Sequence, residues 1–251
     1  MKFRGTFPQG ELFYLTMHDS IMDCSGNLVL NNTSYRIALP DSVAAGDLVI
    51  NELLFNPPTG GSNFVELYNN SDKILDLKKL WISNRNSAGE IANSKQISDK
   101  SRLILSGEYC AITTSIKGIT DFFYITSEDY LFETASMPTM ANASGFSIIA
   151  DRFFNIIDEV EYNEKQHYPL LASRKGVSLE RINYERPSSD DENWHSAAQS
   201  VGYATPGYKN SQYTDNILEE SKISFNPEVF SPDNDGYNDF LTISYQFDEP
   251  G

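Results

Sequence analysis

Leu48-Val49-Ile50-Asn51-Glu52-Leu53-Leu54-Phe55-Asn56-Pro57 is the stretch on which the fold turns. It is an apolar run stopped by an Asn-Pro turn, and strand alternation puts Leu48, Ile50, Glu52 and Leu54 on one face. Outward from it, short runs of the same kind return at 64–69, 73–82, 102–105, 109–113, 145–150, 156–162 and 177–182, separated by Gly- and Asn-rich turns. About eight short strands with turn signals between them predict an all-β chain folded as an antiparallel sandwich. Residues 127–140 lack the two-residue period and read as a long connection holding a short helical turn.

Composition agrees with that reading. Tyr and Phe supply nearly all of the 12% aromatic residues, which suits pleated strands better than helices. At 251 residues the chain can bury a sizeable core. Its 35 acidic against 19 basic residues give a formal charge of −16. That balance opposes binding to phosphate backbones, whose affinity rests on Lys and Arg, and disfavours anionic membrane surfaces. No apolar run approaches the roughly 20 residues of a membrane span, so membrane insertion is not expected. The two cysteines, Cys24 and Cys110, read as unpaired thiols.

The runs stand in an order that resembles a known family. The opening strand is followed by Phe64-Val65-Glu66-Leu67-Tyr68-Asn69, by Leu77 to Trp81, by Gly107-Glu108-Tyr109, by Asp158-Glu159-Val160-Glu161-Tyr162 and by Gly176-Val177-Ser178-Leu179-Glu180-Arg181. Asn193-Trp194-His195 and Thr205-Pro206-Gly207 close the set. This succession resembles the lamin tail domain, an immunoglobulin-like sandwich that also occurs in exported bacterial proteins. The resemblance implies one such domain over 47–213. Nuclear lamin tails are associated with chromatin, but the acidic balance here argues against nucleic acid as a partner.

Both flanks look like parts of neighbouring modules. Residues 1–40 carry strand-like runs at 12–16, 28–30 and 35–39 around the turn Asp23-Cys24-Ser25-Gly26-Asn27, and resemble the last hairpin of a truncated bacterial immunoglobulin-like domain. Residues 222–251 hold Phe230-Ser231-Pro232-Asp233-Asn234-Asp235-Gly236-Tyr237-Asn238-Asp239 between two strands. They resemble the opening hairpin of an immunoglobulin-like module of the flagellar hook-capping type. These resemblances imply an extracytoplasmic protein of a Gram-negative bacterium, secreted, at the cell surface or associated with the outer membrane.

Chemistry is sparse. There is no G-x-S-x-G elbow, no phosphate-cradling G-x-x-x-x-G-K and no H-E-x-x-H. His18, His167 and His195 lack the spacing of a zinc site. Glu52 and Glu66 lie on strands without a cleft between them, and Arg181 shares a face with Val177 and Leu179, so a buried ion pair of Arg181 with Glu52 or Glu66 is expected. Asp233, Asp235 and Asp239 follow the first half of a calcium loop but lack its closing Glu; calcium and a plain Asp-Gly turn both remain open, and no other cofactor is expected. The expected role is a non-catalytic module for adhesion, assembly or presentation, whose partners are neighbouring domains of the same polypeptide and a surface protein or glycan. The alternative is an accessory targeting or carbohydrate-binding domain of a secreted hydrolase, with Tyr124, Tyr130, Tyr162, Tyr168 and Tyr203 as contacts.

Overall fold

The structure, a computed structural model, describes residues 6–16, 24–26, 34–215, 223–227, 229–233 and 239–245. The chain forms two compact units, Met1–Tyr213 and Thr214–Gly251. In the first, strands β1 (Phe13–Thr16) and β2 (Ser34–Ile37) pair as an antiparallel hairpin. Its Arg36 makes an ion pair with Glu108. The strand expected at 28–30 lies outside the described residues.

The rest of this unit is a sandwich of two main sheets. Its strands are β3 (Leu48–Leu54), β4 (Phe64–Asn69), β5 (Leu75–Asp76), β6 (Leu80–Arg85), β7 (Ile91–Gln96), β8 (Leu103–Ile104), β9 (Tyr109–Thr113), β10 (Leu131–Glu133), β11 (Ser144–Asp151), β12 (Ile156–Asn163), β13 (Leu179–Arg181) and β14 (Trp194–Ser196). One sheet has six strands in the order β10-β9-β4-β3-β13-β14, and the other has four, β12-β11-β6-β7. The short pair β5-β8 lies apart from both. Pairing is antiparallel except where β10 runs parallel to β9. The connection between those two strands carries the short helix α1 (Lys117–Thr120) and a turn of 3-10 helix, Glu128–Tyr130, which gives it the length to cross back and re-enter in the same direction.

Leu48, Ile50, Leu53, Val65, Leu67, Leu80, Ile82, Ile149, Val160, Leu179 and Trp194 form the core. A second apolar cluster, Leu54, Phe64, Ala111, Ile119, Phe123, Leu131 and Ala204, covers the other side of the six-stranded sheet. That sheet is therefore buried on both faces, and every residue of β3 is buried. Between Ile50 and Glu52 the β3–β4 register shifts, with Asn51 as the extra residue. The bulge reverses the phase of the strand: Leu48, Ile50 and Leu53 face the core while Glu52 and Leu54 face away. The single face expected to carry Leu48, Ile50, Glu52 and Leu54 is thus broken in the middle.

In the second unit, β15 (Ile223–Asn226) and β16 (Thr242–Tyr245) form an antiparallel hairpin.

Candidate functional site

Three carboxyl side chains stand in a row across three adjacent strands. Glu66 of β4 is directly opposite Glu52 of β3, and Glu52 is directly opposite Glu180 of β13. All three are at 0% exposure, although like charges in such positions repel. What covers them is the segment containing Thr205-Pro206-Gly207. Thr205 donates its N–H to Glu52 Oε1 at 2.9 Å, and Gly207 donates its N–H to Glu66 Oε2 at 2.5 Å. Pro206, between them, has no N–H to satisfy. Ser211 Oγ and the Gln212 N–H both donate to Glu180 Oε2, at 2.8 and 2.9 Å. Ser178 Oγ adds a bond to Glu52, and Asn51 Nδ2 donates to Glu66 Oε1 at 2.8 Å. Gly207 cannot be replaced freely, since its φ is +88° and a Cβ there would stand 2.9 Å from Tyr130 Cβ.

Proton placement follows from one hydroxyl. Thr205 Oγ1 lies 3.1 Å from Glu52 Oε2, 2.8 Å from Glu180 Oε1 and 3.4 Å from Asn210 Oδ1. It has one proton for three oxygens, so a neutral carboxyl that donates to Thr205 completes the network. Burial, and then the charge of Glu180, push the Glu52 pKa up to about 8. Burial and Glu52 likewise hold Glu66 well above the usual carboxylate range. Near neutral pH Glu52 and Glu66 are therefore held largely as hydrogen-bonded acids.

Arg181 lies on the opposite face of β13 and takes a different partner from those expected. It is 1% exposed, and its Nη2 meets Asp158 Oδ2 of β12 at 3.0 Å; it makes no ion pair with Glu52 or Glu66. The reason is register: Glu180 sits opposite Glu52, so Arg181 points into the sandwich with Leu179. Arg181 Nε donates to the carbonyl of Ile50 at 2.7 Å, and the Ile50 N–H donates to Asp158 Oδ2 at 2.7 Å. The pair thus holds both polar groups of the Ile50 peptide beside the bulge and joins the two sheets. Its guanidinium also lies over the Trp194 ring, 5.1 Å from the centroid.

His167 and His195, the two described histidines, make no hydrogen bond to each other. His18 lies outside the described residues. His167 is 1% exposed, and burial lowers its pKa to about 4. Its Nδ1 is 2.9 Å from Ser196 Oγ, which accepts the Tyr168 N–H, also at 2.9 Å. The far nitrogen, Nε2, is buried with no partner among the described residues. A serine–histidine couple in this arrangement has a weak base and no carboxylate on the far nitrogen. His195 is half-buried and lines a groove of about 520 Å³ with Tyr168 and Tyr203.

The five tyrosines considered as glycan contacts are divided. Tyr162 is 1% exposed within the core, Tyr124 packs edge-on to Tyr208, and Tyr130 packs at Gly207. Only Tyr168 and Tyr203 of the five line the His195 groove. The apolar neighbours of Trp81 and Trp194 predict that both are largely buried; Trp194 is, whereas Trp81 is half-buried, on the face of β6 away from Leu80 and Ile82. Cys24 is exposed and Cys110 buried, both free, and burial raises the Cys110 thiol to about 12. Asp235, the middle residue of the calcium motif, lies outside the described residues, and Asp233 is exposed. Among the described residues no three His, Cys, Asp or Glu side chains are placed to hold a metal ion. No described helix is long and apolar enough to cross a membrane.

Sequence reasoning named Glu52, Glu66 and Arg181 but missed Glu180, Asp158 and the covering segment. The signal for Glu180 was present: Ser178-Leu179-Glu180-Arg181 alternates, so it must face away from Arg181.

Comparison with known proteins adds little to this geometry. No family model matches the chain. No curated protein matches it either. Among solved structures it is similar to a DUF4876 family protein from Bacteroides thetaiotaomicron, at 14% identity over 83% of this chain and 82% of that one, with a TM-score of 0.33. At that score the likeness carries no inference about function.

Proposed function

We propose that this chain is a non-catalytic module, lamin-tail-like and immunoglobulin-like in its central domain, of a larger exported bacterial protein, with a role in adhesion, assembly or presentation at the cell surface. The observation that supports this best is the sealing of the carboxyl row, where acid groups stand nearest one another. Glu52, Glu66 and Glu180 are covered by the chain's own amides, and none of them lines the His195 groove. Residues that act on a substrate stand in a cleft within hydrogen-bond reach of it. Here the carboxyls hold a backbone segment in place. The order of strand motifs is what favours the lamin-tail reading over other sandwiches.

The test is turnover by the purified full chain on nucleic acids, phosphate esters, peptides and glycosides. No turnover above buffer is expected. Activity that copurifies with the chain and disappears in Glu52→Gln or Ser196→Ala would overturn the proposal.

A further inference from the structure

We infer that the groove floored by Trp81 binds an acidic oligosaccharide. The groove has a volume of about 620 Å³ and is lined by Trp81, Phe153, Val43, Lys78, Lys79 and Arg152, together with Asp76 and Asp151. That size accommodates a few sugar rings. Phe153 is 67% exposed at the tip of the β11–β12 hairpin, where Arg152 Cζ lies 4.5 Å from its ring centroid. The next residue, Phe154, is 48% exposed and held at φ +62°, a conformation that a bulky side chain adopts only at a cost. The hairpin therefore displays aromatic rings to solvent at the margin of an aromatic-floored groove.

Charge selects among ligands that stack on aromatic rings. Lys78, Lys79 and Arg152 are exposed, and none forms an ion pair among the described residues. The two acids in the groove are already engaged. Asp76 accepts the N–H groups of Lys78 and Arg102 and the Ser101 hydroxyl. Asp151 accepts the N–H groups of Phe153 and Asn155 and the Asn155 side chain. The groove thus offers donors and, with three cations against two hydrogen-bonded carboxylates, a small excess of positive charge. A neutral sugar needs acceptors for its hydroxyls as well as donors, whereas a uronic acid chain brings its own carboxylates to three cations and its ring faces to Trp81. In a chain of net charge −16, this local excess of positive charge marks one place for an anionic ligand. A concave groove suits a chain of sugar rings better than a flat lipid surface.

This rests on the reading that the module binds without turning ligand over, and the experiment keeps the two separable. The full chain is titrated with short oligogalacturonates at low salt and followed by tryptophan fluorescence. The chain has only two tryptophans and Trp194 is buried, so Trp81 is the reporter. A saturable change is expected. It should weaken about tenfold in Lys78→Gln/Lys79→Gln/Arg152→Gln, which changes exposed groups only, and should shrink as salt rises. Trp81→Phe should abolish the optical signal while calorimetry still detects binding, because the ring remains. No binding, unchanged binding in the triple variant, equal binding of neutral galactose oligomers, or equal binding of polyglutamate or phosphatidylglycerol vesicles would each overturn the site. Shortening of the oligomer during the titration would sink the non-catalytic reading instead.

Discussion

The two faces of β3 bury charge in opposite ways. On the core side, Arg181 and Asp158 form a compensated pair that joins the sheets and holds the Ile50 peptide. On the outer side, three carboxyl groups share a row with no cation, and the chain meets them with backbone and hydroxyl donors. A buried charge needs a counter-charge, but a buried acid can instead keep its proton. The same strand shows both solutions because the bulge at Asn51 turns Ile50 and Glu52 to opposite sides.

The largest effect should come from breaking the compensated side. Arg181→Ala leaves Asp158 facing the core margin and removes the donor to Ile50, and should cost about 3–5 kcal/mol in urea unfolding. A loss below about 1 kcal/mol would mean that water reaches Asp158 and that the pair behaves as a surface one. Next in size is the cover of the outer side. Gly207→Ala forces a side chain into the left-handed region and against Tyr130, and about 2 kcal/mol should be lost. An unchanged melting temperature would show that the segment does not lie tightly over Glu66.

The third effect tests the protonation directly. Glu52 titrates near 4.5 when unperturbed and at about 8 in the fold, so over that window the folded state holds a proton the unfolded chain has released. Its contribution is complete below 4.5 and is lost as pH rises toward 8, at up to about 1.4 kcal/mol per pH unit. Other groups titrate in the same range, so the informative quantity is the difference between the wild type and Glu52→Gln. Stability differences that do not change with pH across this window would refute a neutral Glu52. The smallest effect is that variant at pH 5. Its amide can donate to Thr205 Oγ1 while the remaining oxygen accepts from Ser178 and the Thr205 N–H, so the change should stay below about 1 kcal/mol there. Because wild type loses more than that between pH 5 and pH 6, the variant should be the more stable protein from about pH 6 upward.

What could be read beforehand depended on periodicity. The bounds of β4 and β9 follow from their apolar runs, and the helical turn at 128–130 falls inside the stretch that had lost its alternation. β7 escaped because Ala92-Asn93-Ser94-Lys95 is a polar sheet edge with no buried face to impose a pattern. The bulge at Asn51 leaves no mark in composition, and one residue of phase was enough to give Arg181 the wrong partner. Thr205-Pro206-Gly207 was visible as a motif, but its role is set by carboxyls about 140 to 150 residues away.

That separation also has a consequence in time. The hydrogen bonds joining Thr205 to Glu52 and Gly207 to Glu66 span 153 and 141 positions of sequence. Until the distal segment arrives, Glu52 and Glu66 lack the amides that cover them, and a hydrated carboxyl of ordinary pKa is ionised at neutral pH. Docking the segment must therefore take up protons from solvent as well as close a long loop, and such non-local closures are slow. Refolding should accelerate as pH is lowered from 8 toward 6, and stopped-flow rates that ignore pH in wild type as they do in Glu52→Gln would place proton uptake after the rate-limiting step. Order of arrival, and not only final stability, is written into where those glutamates stand.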